Sequence, residues 1–406
     1  MAAAITTPRG GPALALARDV QLLALLFVSL SALWWTAQAV AIARAVRLLP
    51  RIADMPREAR PAWPRLSLVV PARNEAAQLE AAVTARLAEG YPELELVLVD
   101  DRSDDDTGTI ADRLAAADPR VLVEHVSALP NGWLGKVHAM HRGLARARGE
   151  WLLFSDADIH LAPGTLERVL AWAEREGVDH VAAIPSVSAR GPLVAPALAG
   201  FFRLFTGLAR LTAVSDPASK VAIGSGAFNL VRRSALVRTP GLEWLKMEIG
   251  DDVALGLLLK RSGARQAAVI GEGFITLEFY PSIKVMIRAL EKNGATAPAP
   301  LLLAGVCALV VLELGFLAGL ALDGLAAWLA LFTLGLAIVT QAAVSRWLGL
   351  PRWPALVPGL SVLPLAWALA RSTVLAWRRG GVMWRGTFYP TTTIRAGMRL
   401  GAAAKP

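Results

Sequence analysis

Residues 151–160 have the sequence Trp151-Leu152-Leu153-Phe154-Ser155-Asp156-Ala157-Asp158-Ile159-His160, in which four apolar residues lead directly to a polar tip. The apolar run predicts a buried β-strand. Aspartates at positions i and i+2 point to the same side where the strand pleat continues. Carboxylate oxygens are ligands that Mg²⁺ and Mn²⁺ prefer, and these ions bind diphosphates. The stretch therefore predicts a metal site at a strand end, but an isolated Asp-x-Asp is more often a solvated turn, so the neighbouring motifs decide.

Two upstream segments have the same form, an apolar strand that ends in polar residues. They are Leu66–Glu75 and Leu94–Thr107. Strands that alternate with helical segments predict a parallel sheet with right-handed crossovers. Ligands of such sheets bind at the carboxyl ends of the strands. We therefore expect the acidic residues to share one crevice, with Asp100 and Asp101 as ligand contacts, while Asp104–Asp106 cap the next helix.

These ordered motifs resemble the family-2 glycosyltransferases, whose nucleotide-sugar domain has the GT-A fold. The similarity covers Leu66–Asn293. Residues 69–75 resemble the first strand of the family and residues 99–107 its nucleotide-binding second strand. Gly135–Gly143 resembles the segment before the metal strand, with His141 where the family often has Asn. The resemblance implies an α/β fold with a doubly wound, mostly parallel sheet, a nucleotide-diphosphate sugar as donor, and Mg²⁺ or Mn²⁺ as cofactor.

The resemblance also implies roles for individual residues. Asp156 and Asp158 would bind the metal ion. Glu248–Gly256 resembles the acidic motif of the family, with Asp252 as the catalytic base and Asp251 beside it. The residues that would contact the donor are Pro71, Arg73, Glu75, Asp100, Asp101, Lys136, Asp156 and Arg288. An inverting transfer needs a carboxylate near the acceptor hydroxyl and a cation at the departing diphosphate, which two acidic clusters can provide. The alternative for the second cluster is a helix cap.

The chain is apolar enough to belong in a membrane, with 55% hydrophobic and 18% charged residues. Val20–Ile42 contains no charge and is long enough to cross a bilayer. It exceeds the apolar region of a typical signal peptide, so we expect a transmembrane helix. Three further apolar stretches follow the catalytic region, and they are Pro300–Leu322, Ala326–Val344 and Pro354–Trp377. We thus expect one N-terminal and two to three C-terminal transmembrane helices.

Basic residues set the expected orientation. Six arginines between positions 44 and 65 follow the first helix, which predicts a cytoplasmic location for this side. The C-terminal tail is also basic, yet three C-terminal crossings would place it outside. We expect a re-entrant or broken third segment, because Pro358-Gly359 and Pro364 are natural break points. The expected division is a tail at 1–19, a transmembrane helix at 20–42, a basic linker at 43–64, a GT-A domain at 65–278, an interfacial helix at 279–297, membrane segments at 298–377 and a basic cytoplasmic tail at 378–406.

Two further segments bear on the acceptor. Leu193–Val214 is apolar and rich in phenylalanine, and it predicts either an interfacial amphipathic helix or an ordinary core helix. Ile283–Asn293 predicts an interfacial helix with Lys284, Arg288 and Lys292 on one face. Polymer-forming relatives have Gln-x-x-Arg-Trp here, of which this chain keeps only the arginine. The resemblance therefore implies transfer of a single sugar, with bacterial hopanoid, carotenoid and ceramide-type lipid glycosyltransferases as similar enzymes.

The sequence thus predicts an inverting, metal-dependent hexosyltransferase that moves one sugar, expected from a UDP-sugar, to a lipid acceptor at the cytoplasmic membrane of a bacterial-type cell. The net charge of +9 is concentrated beside the apolar spans, which favours anionic lipids over nucleic acid as partners. The oligomeric state is not determined. Alternatives are a polyprenyl-phosphate glycosyltransferase, a nucleotidyltransferase, whose usual glycine-rich phosphate loop is absent after Val70, and a catalytically silent sugar-nucleotide-binding scaffold.

Overall fold

The computed structural model describes residues 12–189 and 191–400. Within these residues, eight strands form one mixed sheet in the order β3-β2-β1-β4-β7-β6-β8-β5. The strands are β1 (Leu66–Ala72), β2 (Leu94–Asp101), β3 (Val121–Val126), β4 (Trp151–Phe154), β5 (His160–Leu161), β6 (His180–Ser188), β7 (Asn229–Arg232) and β8 (Gln266–Glu278). Residues 1–11 of the expected N-terminal tail and 401–406 of the basic tail lie outside the described residues.

The parallel half of the sheet confirms the expectation from the three apolar runs. β1 pairs in parallel with β2 on one side and with β4 on the other. All residues of β1 and β4 are buried, which is the pattern of strands covered on both faces. The register pairs Val69 with Phe154 and Ala72 with Asp100. The polar residues that follow these strands therefore lie at one edge of the sheet.

Helices cover both faces of the sheet. They are α1 (Pro12–Leu48), α2 (Ala76–Leu87), α3 (Thr107–Ala117), α4 (Gly135–Arg146), α5 (Thr165–Arg175), α6 (Val194–Leu208), α7 (Arg233–Val237), α8 (Asp251–Arg261), α9 (Ile283–Ala289), α10 (Ala299–Leu314), α11 (Leu325–Trp347), α12 (Leu363–Arg379) and α13 (Thr391–Gly397). α4 lies close to the sheet at Gly143, where a Cβ would be 2.5 Å from a methyl carbon of Val69. The interfacial helix expected to reach Asn293 ends instead at Ala289, and a 3-10 turn over Leu290–Ala295 follows it.

Among the described residues, four helices are long and apolar enough to cross a membrane. They cover Arg18–Leu48, Ala299–Ala321, Leu325–Trp347 and Leu360–Arg379. Their number and positions confirm the expectation of one N-terminal and two to three C-terminal membrane helices. The second of them consists of α10 and a 3-10 extension.

The third C-terminal segment begins and ends on the side of the sheet. After α11, the carbonyl of Leu348 accepts a hydrogen bond of 2.9 Å from the amide of Val187 in β6. The chain then runs to Gly359, where a Cβ would lie 2.8 Å from the carbonyl oxygen of Glu313 near the far end of α10. α12 returns and packs at Ser372 against Gly294, beside the sheet. The chain thus returns to the side from which it started, with its turn at the expected Pro358-Gly359 break.

α6 is packed between the sheet and the apolar helices. Most of its residues are buried, while Leu193 and Leu208 at its two ends are exposed. This burial agrees with the core-helix interpretation, because an interfacial helix would leave one long face uncovered. α6 therefore connects the sheet to the membrane helices directly.

A buried polar cluster fixes α6 among the apolar helices. Arg203 of α6 donates to Glu313 of α10 at 2.6 Å and to Gln341 of α11 at 3.2 Å. Trp34 of α1 donates to the Glu313 carboxylate at 2.7 Å, and the guanidinium of Arg203 lies 4.2 Å from the ring centre of Trp35. Both charged side chains are fully buried. In an apolar environment such charges require each other, because either one alone pays a large desolvation penalty.

We expect Arg203→Met to lower the free energy of unfolding by about 3–5 kcal/mol, because it leaves the Glu313 carboxylate unpaired among apolar helices. The double variant R203M/E313M removes both charges and should recover most of that loss. Denaturant unfolding in detergent, followed by tryptophan fluorescence, measures the effect. Arg346→Met, at an exposed position of α11, is the matched control. An R203M protein as stable as this control would contradict the prediction.

Candidate active site

One cavity of about 1110 Å³ opens at the carboxyl ends of β1, β2 and β4. Its charged lining consists of Arg73, Glu75, Asp101, Lys136, Asp156, Asp158, Glu248, Asp251, Asp252, Arg288, Glu291, Lys292 and Arg385. Its apolar lining includes Leu198, Phe201, Phe202, Phe205, Leu277, Phe279, Val285, Met286 and Leu365. The cavity thus joins a charged end over the strands to an apolar end beside α6, α9 and α12.

The Asp156–Asp158 turn is held from two sides. The amide of Asp156 donates to the carbonyl of Gly226 at 2.8 Å, and the hydroxyl of Ser155 donates to the carbonyl of Ala227 at 2.8 Å. From below, the fully buried Arg86 of α2 donates to the carbonyl of Asp156 and to Ser155 Oγ. The backbone of the turn is therefore fixed before any ligand binds.

The sequence did not identify Arg86 as a residue of the site, because it lies among the apolar buried positions of α2. Burial lowers its pKa to about 10, against the opposing effect of Asp158 and Asp156. The side chain therefore stays cationic at neutral pH and stabilises the two carboxylates above it. A lone arginine between apolar positions was the available signal, but only the tertiary structure shows what it contacts.

The two carboxylates of the turn fit a divalent cation. Burial raises the pKa of Asp158 and the nearby charge of Asp156 raises it further, whereas the positive charges of Arg86 and Lys136 lower it. Among the residues that the structure describes, no group of three or more His, Cys, Asp or Glu side chains forms a complete metal cage. Mg²⁺ and its analogues commonly use one or two carboxylates and take their remaining ligands from water and substrate phosphates.

Lys136, in the first turn of α4, connects the two acidic clusters. Its ammonium lies 2.7 Å from Asp156 Oδ1 and 3.1 Å from Asp251 Oδ2. Although burial opposes its charge, the carboxylates of Asp156, Asp251 and Asp252 raise the pKa of Lys136. Lys136 therefore keeps its charge and offsets the repulsion between the clusters.

Asp251 and Asp252 occupy the first turn of α8, and the capping position is Gly250. Asp252 accepts hydrogen bonds from the amide of Gly226 at 2.9 Å and from that of Val253 at 2.8 Å. Because Gly226 also accepts from Asp156, one residue connects both acidic motifs. Asp251 is buried, and burial raises its pKa while Lys136 lowers it.

Lys292 is a further charged group of the cavity that the sequence analysis did not assign to the site. Its ammonium lies 4.6 Å from the ring centre of Trp384. Burial lowers the pKa of Lys292, whereas Asp251 raises it. The 3-10 turn after Ala289 carries this lysine into the charged lining, whereas the sequence predicted it only as a neighbour of Arg288 on one helix face.

The remaining predicted donor contacts divide into two groups. Pro71, Arg73, Glu75, Asp101 and Arg288 line the cavity. Asp100 does not line it, because its carboxylate instead accepts from the amide of Ser103 and lies 3.2 Å from His125 Nδ1. Of the two adjacent aspartates, only Asp101 therefore faces the cavity. Burial raises the pKa of Glu75 to about 7, although Arg385 lowers it.

The C-terminal segment completes the cavity wall. Residues 381–400, named here the C-terminal strap, contain a hairpin of β9 (Gly381–Trp384) and β10 (Thr387–Pro390), followed by α13. The buried carboxylate of Glu248 accepts from the amides of Arg399 at 2.6 Å and Leu400 at 2.9 Å. The strap therefore lies on the same side of the apolar helices as the sheet.

Comparisons with known proteins agree with this geometry. The sequence model of the family described as "Glycosyl transferase family 2" matches residues 67–238. The chain is 33% identical over 121 residues to the GalNAc(5)-diNAcBac-PP-undecaprenol beta-1,3-glucosyltransferase of Campylobacter jejuni, covering 29% of this chain and 37% of that protein. It is 25% identical over 244 residues to the 4,4'-diaponeurosporenoate glycosyltransferase of Staphylococcus haemolyticus, covering 58% and 63%.

A solved structure has the same fold. The mannosyltransferase PcManGT from Pyrobaculum calidifontis, in complex with GDP-Man and Mn²⁺, matches with a TM-score of 0.53 at 21% identity. The match covers 87% of this chain and 99% of that one. It confirms the expected GT-A fold with added apolar helices. The chain spans less than two thirds of the length of both curated relatives, at 37% and 63%.

We expect Lys136→Met to lower the free energy of unfolding by about 3–5 kcal/mol, because it leaves the buried Asp251 carboxylate without its cation. Lys246→Met is the matched control, since Lys246 forms an exposed ion pair with Glu243 at 2.8 Å and should not change stability measurably. Denaturant unfolding of both variants in detergent makes the comparison. Equal stability of K136M and K246M would contradict the role given to Lys136.

Proposed function

We propose that this chain, which carries a glycosyl transferase family 2 domain at residues 67–238, transfers a single sugar from a nucleotide-diphosphate sugar to a lipid acceptor. The observation that carries the proposal is the continuity of one cavity. Its charged end suits a metal-bound diphosphate, and its apolar end begins at helices that also contact the membrane bundle. A lipid acceptor would gain binding free energy by burying its apolar chain against this wall.

Asp156 and Asp158 are the proposed ligands of Mg²⁺ or Mn²⁺. Such an ion, when bound, neutralises the charge that develops on the departing diphosphate. Lys136 is the proposed partner of the phosphates, because its ammonium already lies between the two acidic clusters. Arg86 holds the backbone of the metal-binding turn and acts as a positioning residue.

Asp252 is the proposed catalytic base of an inverting reaction. It is half-buried and lines the cavity, so an acceptor hydroxyl can approach it. Asp251 is buried and paired with Lys136, which leaves its electron pairs less available. The amide of Gly226 holds the Asp252 carboxylate, and the same residue accepts from the amide of Asp156. An in-line substitution requires the base and the departing diphosphate on opposite sides of the sugar carbon, and we propose that the donor binds in that orientation between the two motifs.

The lipid acceptor is proposed from the apolar wall. Phe201 and Phe205 of α6 line the cavity together with Phe279 and Met286, and the ring centres of Phe201 and Phe279 are 6.1 Å apart. Leu365 of α12 extends this wall. The two curated relatives are named for acceptors with long apolar chains, undecaprenol and a carotenoid acid. A membrane lipid whose hydroxyl reaches Asp252 fits both features.

The proposed location is a bacterial-type cytoplasmic membrane with the catalytic domain on the cytoplasmic face, where the basic residues after α1 are expected. The donor is proposed to be a UDP-sugar. A polyprenyl phosphate is the second candidate acceptor, because Arg288 lies on α9 next to the apolar side chains of Val285 and Met286. Its guanidinium could bind a lipid phosphate at the border of the two linings.

We expect Asp252→Asn to lower the rate of nucleoside diphosphate release by at least about 100-fold, because the acceptor hydroxyl loses its base. The assay uses the purified chain with membrane lipid extract, Mn²⁺ and UDP- or GDP-sugars. Glu80→Gln removes an exposed carboxylate of α2 and should keep wild-type activity. Donor binding by D252N should persist.

Three outcomes would contradict the proposed function. A wild-type protein that binds the nucleotide sugar but never turns over would be a silent scaffold. Release of pyrophosphate from a nucleoside triphosphate would indicate a nucleotidyltransferase. Unchanged activity of D252N would remove this residue as the base.

We expect Phe201→Ala to raise the KM for the lipid acceptor at least about fivefold and to leave the KM for the donor unchanged, because it removes apolar contact area from one end of the cavity only. Phe332→Ala, at an exposed position of α11, is the matched control. Steady-state kinetics with both substrates varied provides the measurement. An equal rise of both KM values would contradict a lipid-binding role for this wall.

A further inference from the structure

The tip of the strap hairpin has an unusual residue in a strained conformation. Arg385 and Gly386 connect β9 to β10, and both have positive φ angles, 46° and 78°. Two-residue hairpin turns of this kind favour asparagine or glycine, which adopt such angles easily. An arginine in the left-handed region is strained, because its Cβ lies too close to the neighbouring carbonyl oxygen. Strain at a single position with no local benefit suggests that the side chain has a use elsewhere.

The Arg385 side chain extends into the charged end of the cavity. Its guanidinium makes only long contacts there, 3.5 Å to the carbonyl of Arg73 and 3.4 Å to a carboxylate oxygen of Glu75. The Glu75 carboxylate is close enough to Asp156 and Asp158 for their charges to raise its pKa. Arg385 is therefore near the proposed metal-binding pair, is exposed, and is weakly held.

The strap on either side of Arg385 is firmly anchored. Tyr389 of β10 is buried and its hydroxyl accepts a hydrogen bond from the amide of Gly135, the residue before Lys136. Trp384 lies under the ammonium of Lys292. Glu248 accepts from two amides further along the strap. The hairpin is thus fixed at both flanks, and its one weakly bound cation faces the charged cavity.

We propose that Arg385 is a binding residue for the diphosphate of the nucleotide-sugar donor, supplied to the site by the C-terminal strap. The inference rests on the proposed function. Guanidinium groups bind phosphate oxygens in a bidentate manner and more strongly than a long contact to one carboxylate oxygen. A bound diphosphate brings further negative charge beside Asp156, Asp158 and Glu75, so an additional cation at this edge stabilises it.

The shared chemistry here is a phosphate group, which a donor and a lipid phosphate both carry. The geometry favours the donor. Arg385 contacts Arg73 and Glu75, which directly follow β1 at the edge where a nucleotide is expected. The apolar wall, by contrast, is formed by α6, α9 and α12 and has Arg288 beside it.

The experiment compares Arg385→Asn with the wild-type chain in detergent. Asparagine suits the left-handed turn, so the hairpin should be kept or stabilised, and Arg385→Gly serves as a second variant with the same property. Arg378→Asn, at an exposed position of α12, controls for the loss of one basic charge. Thermal unfolding confirms that all variants are folded. Titration calorimetry with Mn²⁺ measures Kd for UDP and GDP, and competition measures Kd for UMP and GMP.

The expected result is a rise of at least about tenfold in the diphosphate Kd of R385N and R385G, as for a lost charged hydrogen bond. The monophosphate Kd should change less than about twofold, because the proposed contact of Arg385 is to the second phosphate, which a monophosphate lacks. R378N should match the wild type. Unchanged diphosphate binding in R385N would overturn the inference while the proposed function stands.

Two further outcomes also decide the matter. Equal weakening of monophosphate and diphosphate binding would overturn the inference, since a general disruption of the strap would then be the cause. Weaker binding of farnesyl phosphate with unchanged UDP binding would assign Arg385 to the acceptor instead. If the wild-type chain bound neither UDP nor GDP in the presence of Mn²⁺, the proposed function itself would fail, and the inference with it.

Discussion

The fold brings several carboxylates together in one partly buried cavity, and their mutual repulsion must be offset by a positive charge for the site to be stable. Asp156, Asp158, Asp251 and Asp252 come from two distant parts of the sequence, and negative charges at such short range repel each other. Lys136 makes the arrangement possible because its ammonium contacts both clusters. Its position follows from Gly143, which lets α4 approach the sheet closely. The close packing of α4 on the sheet thus brings Lys136 to the two acidic motifs at the strand ends.

The central strands and the edge of the sheet that carries the site could be predicted from the sequence, because apolar runs define strands locally. Val69–Ala72, Val97–Asp101 and Trp151–Phe154 carry their own burial pattern, and their parallel pairing brings their polar ends to one edge. Groups that act through tertiary contacts could not be found in this way. Arg86 and Lys292 lie in segments whose patterns do not show what they face. The expected helix through Asn293 changes to a 3-10 turn after Ala289. Within this turn Gly294 packs directly on the backbone of Ser372 in α12, a contact that no local pattern shows. Asp100 and Asp101 are adjacent residues of the same type, so the sequence does not show which one faces the cavity. The strand pleat directs only Asp101 toward it.

The membrane helices do more than anchor the domain, because they fix one wall of the cavity. α6 carries Phe201 and Phe205 on the cavity side and Arg203 on the side of the bundle. The pair of Arg203 with Glu313 and the indole of Trp34 tie this helix to α10 and α1. A shift of the bundle would therefore move the phenylalanine wall. The charged end is built on the sheet and α4, and its Glu291 pairs with Arg371 of α12 at 2.6 Å. Both ends of the cavity are therefore connected to the apolar helices, through different residues.

The returning path of the third C-terminal segment and the closure of the cavity depend on each other. A segment that crossed the membrane completely would leave the strap on the opposite side from Glu248 and Gly135, which are its anchors. The turn at Gly359 prevents this, with a φ of 78° that disfavours other residues and a carbonyl of Glu313 only 2.8 Å from where a Cβ would lie. The same Glu313 holds Arg203 through its side chain. One residue of α10 therefore supports both α6, which forms the apolar wall, and the turn that returns the chain to complete the charged end.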